Sequence, residues 1–191
     1  IHVLDETTIN KIAAGEVVER PASVVKELIE NSIDAGATSI EVEIGEGGSA
    51  YMRITDNGKG MTEEDARLAV LRHATSKIQN VEDLFDIASL GFRGEALASI
   101  ASVSHFILTT RTVDQELGTR ILIDGGTFTD CIPYGAAPGT TIEVKELFFN
   151  TPARRKFLKT ERTESSKIQD FVGKLALSNP HIAFKLTIDD R

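Results

Sequence analysis

Cysteine, long apolar runs and positive charge are all scarce in this sequence of 191 residues. The single cysteine, Cys131, excludes an internal disulfide and a metal site built from clustered cysteines, and it suits a reducing compartment. No apolar run approaches the roughly 18 residues that a transmembrane helix needs, and no charged-then-apolar segment after Ile1 indicates export. The formal net charge of −8 argues against a surface that binds nucleic acid all over, although it leaves room for a local basic patch.

The composition is that of a globular domain. Hydrophobic residues make up 41% of the chain and charged residues 26%, which excludes disordered, collagen-like and coiled-coil proteins. A chain of this length predicts one domain with a core that needs no disulfide or metal for its stability. The sequence stops at Arg191, directly after an alternating run that predicts a strand. Because the pairing partner of a new strand normally follows it, we expect this chain to be a fragment of a longer protein.

Hydrophobic periodicity and turn residues predict helices and strands along the whole chain. The predicted helices cover residues 8–14, 21–35, 62–71, 95–101, 152–159 and 164–177. The predicted strands cover residues 40–44, 52–54, 105–111, 119–123, 140–144 and 182–188, and a turn at 45–48 joins the first two as a hairpin. This arrangement favours an α+β fold, a two-layer sandwich with a mixed, mostly antiparallel sheet and helices on one face.

One face of the helix predicted at 21–35 carries polar side chains in register. Glu27, Asn31 and Asp34 fall within about 60° of one another around the helix, apart from its apolar stripe. A solvated face is the ordinary explanation. The alternative is a ligand site, in which the Glu27 carboxylate activates a water molecule and the Asn31 amide oxygen ligates Mg²⁺.

A second candidate site follows the strand predicted at 52–54, where residues 56–60 are DNGKG. These residue types suit an ordinary strand-ending turn. They also suit a base-binding site, because an ionised Asp56 can accept from an exocyclic amine while Gly58 and Gly60 let the backbone lie flat against a planar ring. The stretch PGTT at 138–141 opens a later strand and offers the Thr140 hydroxyl to the same ligand.

The stretch 72–95 has weak periodicity, with one short helical piece near 81–85, and it contains no Walker A phosphate loop. Gly91 and Gly94 flank the start of a helix at Glu95, whose N-terminus would offer free N–H groups to an anion. So long an irregular stretch is typical of a functional loop, such as a lid over a ligand. His73 has no second histidine or cysteine at ligand spacing, so we interpret it as structural.

Positive charge is concentrated in residues 154–162, which carry five positive side chains and one negative. Solvated charge or a match to a helix dipole is the ordinary explanation, and contact with a phosphate backbone is the alternative. We expect no aromatic side chain to be interleaved there for base stacking, which favours weak binding of DNA. The candidate DNA contacts are Arg154, Arg155, Lys156 and Lys159.

Taken in order, these motifs resemble a known superfamily, the GHKL ATPases. These include gyrase-type topoisomerases, ninety-kilodalton heat-shock chaperones, sensor histidine kinases and MutL. The matching motifs are ExxxN at 27–31, DxGxG at 56–60, GxxG at 91–94 and GT at 139–140. Four longer strings are similar to the MutL family of DNA mismatch repair proteins: IAAGEVVERP at 12–21, RHATSK at 72–77, GFRGEAL at 91–97 and NTPARRKF at 150–157. The resemblance covers essentially the whole chain.

The resemblance implies a role for each matched residue. Glu27 would be the general base that activates water for attack on the γ-phosphate of ATP, and Asn31 would ligate the Mg²⁺ that bridges the phosphates. Asp56 would accept a hydrogen bond from the adenine amine, assisted by Thr140. The other nucleotide-binding residues that it implies are Asp34, Gly58, Gly60, Met61, Thr75, Ser76, Lys77, Gly91, Phe92, Arg93, Gly94 and Glu95.

The resemblance also implies the setting of this activity. Residues 1–191 would form one GHKL ATP-binding domain, with an N-terminal arm and first helix at 1–20, an ATP lid at 72–95, and a following transducer domain that this chain does not reach. The ATPase would be Mg²⁺-dependent and slow in isolation, and its nucleotide cycle would gate homodimerisation of the longer protein. The implied partners are a MutS-type mismatch sensor and DNA, bound weakly and without sequence preference. The implied location is the bacterial cytoplasm, near the nucleoid, or a eukaryotic nucleus, with no membrane contact.

The main alternative is a nucleotide-sensing module, in which ATP binding and not hydrolysis is the output. Glu27 discriminates between the two, because a pure sensor needs no general base. A sensor histidine kinase is disfavoured, since that branch commonly has Asn in place of Glu27.

Overall fold

A seven-stranded sheet organises the chain in the computed structural model, which describes residues 18–71 and 95–189. The strands are β1 (Ser39–Gly45), β2 (Tyr51–Asp56), β3 (His105–Arg111), β4 (Gly118–Asp124), β5 (Thr127–Tyr134), β6 (Gly139–Lys145) and β7 (Ala183–Ile188). They lie in the order β5-β4-β3-β6-β2-β1-β7. The pair β1–β7 is parallel and the other neighbouring pairs are antiparallel, so the prediction of a mixed, mostly antiparallel sheet is confirmed.

The helices within the described residues are α1 (Pro21–Asp34), α2 (Glu63–Ala69), α3 (Ala96–Ala101), α4 (Pro152–Phe157) and α5 (Glu161–Ser178). Pro21 opens α1, where its missing N–H costs no helical hydrogen bond. Thr160 accepts from the backbone N–H of Thr163 at 3.3 Å, and this cap begins α5 three residues earlier than predicted. The helical segments predicted at 8–14 and 81–85 lie outside the described residues. No helix among those described is long and apolar enough to cross a membrane.

One face of the sheet is apolar and packs against the helices. The strand register sets Val42 opposite Ile54, and it sets Ile142 opposite both Ile54 and Leu108. Helix α1 packs on β1 and β2, α5 on β7, α2 on β4 and α3 on β3. The predicted apolar stripe of α1 is confirmed, because the residues it contributes to the core are Val24, Val25, Leu28 and Ile29.

The opposite face of the sheet is charged. Its side chains alternate along each strand with those of the core, and three ion pairs lie on it. These pairs are Glu43 with Arg53, Glu143 with Lys145 at 3.3 Å, and Glu41 with Lys185 at 3.5 Å. Helices on one face are confirmed for the described residues, because α1, α2, α3 and α5 pack against the apolar face while these charged pairs occupy the other.

Strand β5 was not predicted. It is the edge strand beyond β4, and all of its residues are exposed except Cys131, which is half-buried. A strand without a buried face shows no hydrophobic alternation, so periodicity cannot find it. Its edge position also tolerates Pro133, which lacks a ladder N–H.

The pairing partner of β7 differs from the expectation. We expected that partner to follow β7 in the sequence, whereas β7 pairs in parallel with β1, far upstream. The expectation is wrong for the described part of the chain, because the long connection through β2–β6 and α5 returns the chain to the free edge of β1. A parallel partner requires such a crossover and cannot come from a hairpin.

Candidate functional site

The core-facing side of the sheet ends in a row of polar residues. Asp56 at the end of β2 stands opposite Thr140 on β6. Thr110 on β3 stands opposite Thr140 on its other side, and Thr119 on β4 continues the row. Asp56, Thr110 and Thr119 are buried and Thr140 is half-buried. These four residues, the polar row, form the boundary between the apolar core and the loops at this end of the sheet.

The Asp56 carboxylate has a partner on each oxygen. Its Oδ2 lies 2.8 Å from the Ser32 hydroxyl on α1, and its Oδ1 accepts from the Gly58 backbone N–H at 2.8 Å. Burial raises the pKa of the Asp56 carboxyl above its ordinary value, while the hydrogen bonds from Ser32 and from the backbone of Gly58 and Thr140 act in the opposite direction. A carboxyl with a fixed position and a perturbed pKa is typical of a functional site.

The turn after Asp56 is held tightly between α1 and β3. A Cβ at Gly58 would lie 2.9 Å from the Cβ of Ala35, just past the end of α1. Gly60 has φ +67°, and a Cβ there would lie 2.0 Å from the carbonyl oxygen of Arg111. The Lys59 N–H also donates to the Ala35 carbonyl at 3.0 Å. The two glycines are therefore required by the backbone itself, and they leave no side chain beside the polar row.

Thr110 joins the two candidate stretches, residues 56–60 and 138–141, that were predicted to contact the same ligand. The Met61 backbone N–H donates to Thr110 Oγ1 at 2.9 Å, which connects the turn after Asp56 to β3. The same hydroxyl donates to the Gly139 carbonyl oxygen at 3.0 Å and lies 3.0 Å from the Thr140 hydroxyl. The structure thus brings Asp56, Met61 and Thr140 into one hydrogen-bonded group.

Helix α1 carries the predicted polar face. Glu27 and Asn31 are half-buried and Asp34 is exposed. Asn31 immediately precedes Ser32, whose hydroxyl contacts Asp56, and Glu27 lies one turn earlier, about 6 Å away along the axis. The polar face of α1 therefore runs from the neighbourhood of Asp56 towards the start of the helix.

The remaining predicted nucleotide contacts are only partly within the structure. Glu95 is the N-cap residue of α3 and is half-buried. The residues that lie outside the described ranges are Thr75, Ser76, Lys77, Gly91, Phe92, Arg93 and Gly94, together with His73.

The described residues contain no cage of protein ligands for a metal ion. In residues 18–71 and 95–189, no group of three or more His, Cys, Asp or Glu side chains could hold a metal ion. Mg²⁺ keeps several waters and is usually held by one or two protein oxygens together with substrate phosphates. The half-buried amide of Asn31 offers one such oxygen beside the polar row.

Two side chains that contact predicted residues of the site were not themselves predicted from the sequence. Ser32 and Thr110 are both buried, and each directs a hydroxyl to a residue of the polar row. A signal for each was available: Ser32 lies next to Asn31 inside the helical motif, and Thr110 falls on the core-facing parity of β3. Neither signal identifies the partner, because the partner depends on strand register and on the docking of α1.

An open groove of about 630 Å³ lies elsewhere, between α5 and β7. Its walls are mostly apolar, with Val172 and Ala176 on the helix and Phe184 and Leu186 on the strand. Its polar lining side chains are Gln169 and Asp189, and the Asp189 carboxylate already accepts from the Glu46 backbone N–H at 3.0 Å, so the groove has fewer polar groups free to orient a small ligand than the polar row has. We therefore assign the candidate site to the polar row and α1, and not to this groove.

The basic segment, residues 154–159, follows the far end of β6 from the polar row. Arg155 pairs with Glu146 at 3.3 Å, and Lys156 and Lys159 are exposed. Arg154 is half-buried, and its Nη1 has no hydrogen-bond partner in the part of the chain described. Phe157 is 82% exposed, so the expectation that no aromatic side chain is interleaved in this segment is wrong.

The chain is similar to proteins of one family along its whole length. Residues 19–124 match the family described as histidine kinase-, DNA gyrase B- and HSP90-like ATPase. The chain is 59% identical over 191 residues to the DNA mismatch repair protein MutL of Caldanaerobacter subterraneus subsp. tengcongensis, covering 100% of this chain and 32% of that protein. It is 57% identical over 187 residues to MutL of Xanthomonas axonopodis pv. citri, covering 98% and 30%. The chain therefore spans about a third of the length of these relatives.

Solved structures with the same fold include two repair proteins. The Aquifex aeolicus MutL ATPase domain complexed with ADP matches with a TM-score of 0.73 and 38% identity, over 92% of this chain and 62% of that one. The N-terminal domain of a DNA repair protein matches with a TM-score of 0.79 and 30% identity, over 94% of this chain and 52% of that one. The likeness thus extends to both the fold and the sequence.

Proposed function

Because this chain belongs to the histidine kinase-, DNA gyrase B- and HSP90-like ATPases, and among them to the MutL DNA mismatch repair family, we propose that it binds ATP and hydrolyses it to ADP and phosphate. The observation that carries this proposal is the polar row, in which a buried carboxylate stands beside a threonine hydroxyl at the mouth of the core. A related domain has been solved with ADP, and its name describes it as an ATPase.

In this proposal, Asp56 accepts a hydrogen bond from the 6-amino group of adenine. Its fixed position supports the role, because Ser32 and the Gly58 N–H hold the carboxylate where a ligand can meet it already oriented. Gly58 and Gly60 supply a backbone without side chains beside the base, and Met61 lies at the edge of the same turn. Thr140 stands next to Asp56 and assists it.

The polar face of α1 meets the phosphates. Glu27 acts as the general base for the attacking water, Asn31 offers its amide oxygen to Mg²⁺, and Asp34 lies at the same edge. Phosphoryl transfer to water asks mainly for positioning and charge neutralisation, which these groups suit. Bound Mg²⁺ would neutralise the triphosphate beside this acidic face, so ATP binding should depend on the metal.

Two parts of the proposal rest on the resemblance alone. Residues 72–95 serve as the ATP lid, with Thr75, Ser76 and Lys77 at its start and residues 91–95 around the phosphates. Residues 1–20 serve as an N-terminal arm of the one ATP-binding domain. Neither part lies within the described residues, apart from residues 18–20 and Glu95.

In the longer protein, the nucleotide cycle gates homodimerisation and contacts with a MutS-type mismatch sensor and with DNA. The basic segment supports weak DNA binding without sequence preference, because its exposed lysines can neutralise phosphates but read no base edges. The net charge of −8 opposes tight binding by this part of the protein. We place this activity in the bacterial cytoplasm, since the relatives named above are bacterial proteins.

The test measures ATP binding by calorimetry and phosphate release from the 191-residue chain, with Mg²⁺ and with EDTA. We expect binding and slow turnover with the metal and neither with EDTA. Binding without turnover, in this chain and in the longer protein, would favour the nucleotide-sensing alternative. Absence of binding under both conditions would overturn the proposed function.

A further inference from the structure

The hydroxyl of Thr110 is saturated by its three neighbours. A threonine hydroxyl has one hydrogen to donate and two lone pairs with which to accept. The Gly139 carbonyl oxygen, at 3.0 Å, can only accept, so it takes the one hydrogen of Thr110. The Met61 N–H, at 2.9 Å, can only donate, so it occupies one lone pair. The Thr140 hydroxyl, at 3.0 Å, must therefore donate to the other.

This arrangement fixes the polarity of Thr140. With its only hydrogen directed to Thr110, the Thr140 hydroxyl presents lone pairs alone to its remaining surroundings. Its neighbour in the polar row is Asp56, whose ionised carboxylate also only accepts. The Asp56 carboxylate and the Thr140 hydroxyl, adjacent in the polar row, thus offer a ligand hydrogen-bond acceptors and no side-chain donor.

We propose that Thr110 is a positioning residue that sets the choice of base: by orienting the Thr140 hydroxyl as an acceptor, it makes the site select adenine nucleotides over guanine nucleotides. The inference rests on the proposed function. The 6-amino group of adenine has two hydrogens, which Asp56 and Thr140 can accept. Guanine presents an oxygen at that position, which would face two acceptors and receive no hydrogen bond from either of them.

A purely structural role for Thr110 makes a different prediction. Loss of a buried hydroxyl that ties β3 to Met61 would weaken the fold and the binding of every nucleotide to a similar degree. The proposal predicts instead a change in the ratio of affinities for different bases within one protein. Such a ratio cancels any loss that all nucleotides share.

The experiment measures the affinities of three nucleotides for the 191-residue chain in the presence of Mg²⁺. The nucleotides are ATP, GTP and purine riboside triphosphate, which lacks the 6-amino group. The variants are Thr110→Val, which keeps the shape and removes the hydroxyl, and Thr110→Ser, which restores it. Thr109→Val is the matched control, because its hydroxyl lies on the opposite face of β3 and accepts from Arg120 at 3.0 Å.

We expect Thr110→Val to lower the ratio of the affinities for ATP and purine riboside triphosphate by about fivefold, which corresponds to the loss of one neutral hydrogen bond. The ratio of the affinities for ATP and GTP should fall as well. Thr110→Ser and Thr109→Val should both keep the wild-type ratios. Equal weakening of all three nucleotides by Thr110→Val, or the same shift in Thr109→Val, would overturn the proposal.

Thr140 provides a second test that does not require Thr110→Val to fold. If Thr110 acts through Thr140, then Thr140→Val alone must lower the preference for ATP, and adding Thr110→Val must lower it no further. Unchanged preference in Thr140→Val would refute the inference. If the wild-type chain binds all three nucleotides equally, adenine selection fails while ATP binding stands, and if it binds none, the proposed function fails as well.

Discussion

The polar row and the basic segment are both polar parts of the described structure, but the first is buried and fixed by hydrogen bonds and the second is exposed to water. In the polar row, Asp56 is 9% exposed and both of its carboxylate oxygens have partners. In the basic segment, Phe157 is 82% exposed, and the ion pair that Arg155 forms with Glu146 is itself half exposed to water. The polar row is set by the register of four strands, whereas the basic segment begins on the six-residue helix α4 and continues past its end to Lys159.

This difference in burial determines how each region can select a ligand. Groups fixed to a fraction of an ångström in a buried site choose a ligand by hydrogen-bond polarity, since an unmade bond there costs the full desolvation of its partner. Exposed charges act by their sum, are screened by salt and contribute little individually. We therefore expect single-atom changes to matter beside the polar row and charge changes to matter in the basic segment.

The largest effect should come from Glu27→Ala, on the helix beside the polar row. If Glu27 is the proposed general base, its removal should lower the rate of phosphate release by about 10²–10⁴-fold while ATP affinity stays within about twofold. Glu41→Ala, which removes a carboxylate from the charged face of the sheet, should leave both quantities unchanged. Loss of binding in proportion to turnover would show that Glu27 holds the nucleotide and does not activate water.

A smaller effect, on stability, should follow Gly60→Ala. The new Cβ would meet the Arg111 carbonyl at 2.0 Å and would force a left-handed conformation on alanine. We expect a loss of more than about 2 kcal/mol in the free energy of unfolding, measured in urea. Gly135→Ala is the control, because no atom lies within 4 Å of its Cβ position, and it should change the free energy very little. Equal stability of the two variants would contradict the tight turn described here.

Charge reversal in the basic segment should have a modest effect on DNA binding alone. The double variant Lys156→Glu and Lys159→Glu should remove most of the weak binding and reduce the logarithmic salt slope on duplex DNA by about 1.8, since each phosphate contact contributes roughly 0.9. Lys167→Glu with Lys174→Glu, on exposed positions of α5, is the matched control for net charge. Equal loss in both double variants, measured by fluorescence titration, would mean that only total charge matters.

The smallest effect concerns pH and the raised pKa of Asp56. The folded protein binds the Asp56 proton more tightly than the unfolded chain does. Above the raised pKa the carboxyl is ionised, and its burial lowers the stability of the fold. This loss of stability disappears as the pH falls through the raised pKa towards the ordinary Asp value. Asp56→Asn removes this loss, and its amide can donate to Ser32, which then donates to the Leu28 carbonyl at 3.1 Å. We expect the variant to unfold at a temperature equal to or slightly above wild type at neutral pH, with a difference that shrinks in acid. A variant that is clearly less stable at neutral pH would contradict this reasoning.

How much the sequence predicts differs between these regions for physical reasons. Strands with one buried face, such as β1 and β2, show alternation that can be detected without a structure, and the largely exposed β5 shows none. Asp56 and Thr140 were chosen as candidates for one ligand because their residue types suit it, and the resemblance to a family implied that this ligand is the adenine of ATP. The contribution of Thr110 could not be predicted, because it depends on which strand lies beside β6. The basic segment was found from charge alone, but the exposure of Phe157 depends on how α4 is packed.

The most direct measurement is calorimetric titration of ATP into the wild-type chain and Asp56→Asn, with Mg²⁺ present and folding of both proteins checked by circular dichroism. If the Asp56 carboxylate binds the adenine amine, the variant should remain folded and bind ATP more weakly. The free energy of ATP binding should become less favourable by about 1.5–3 kcal/mol, which is the contribution of a hydrogen bond to a charged group. Equal affinity of ATP for the two folded proteins would contradict the assignment of the polar row as the adenine site.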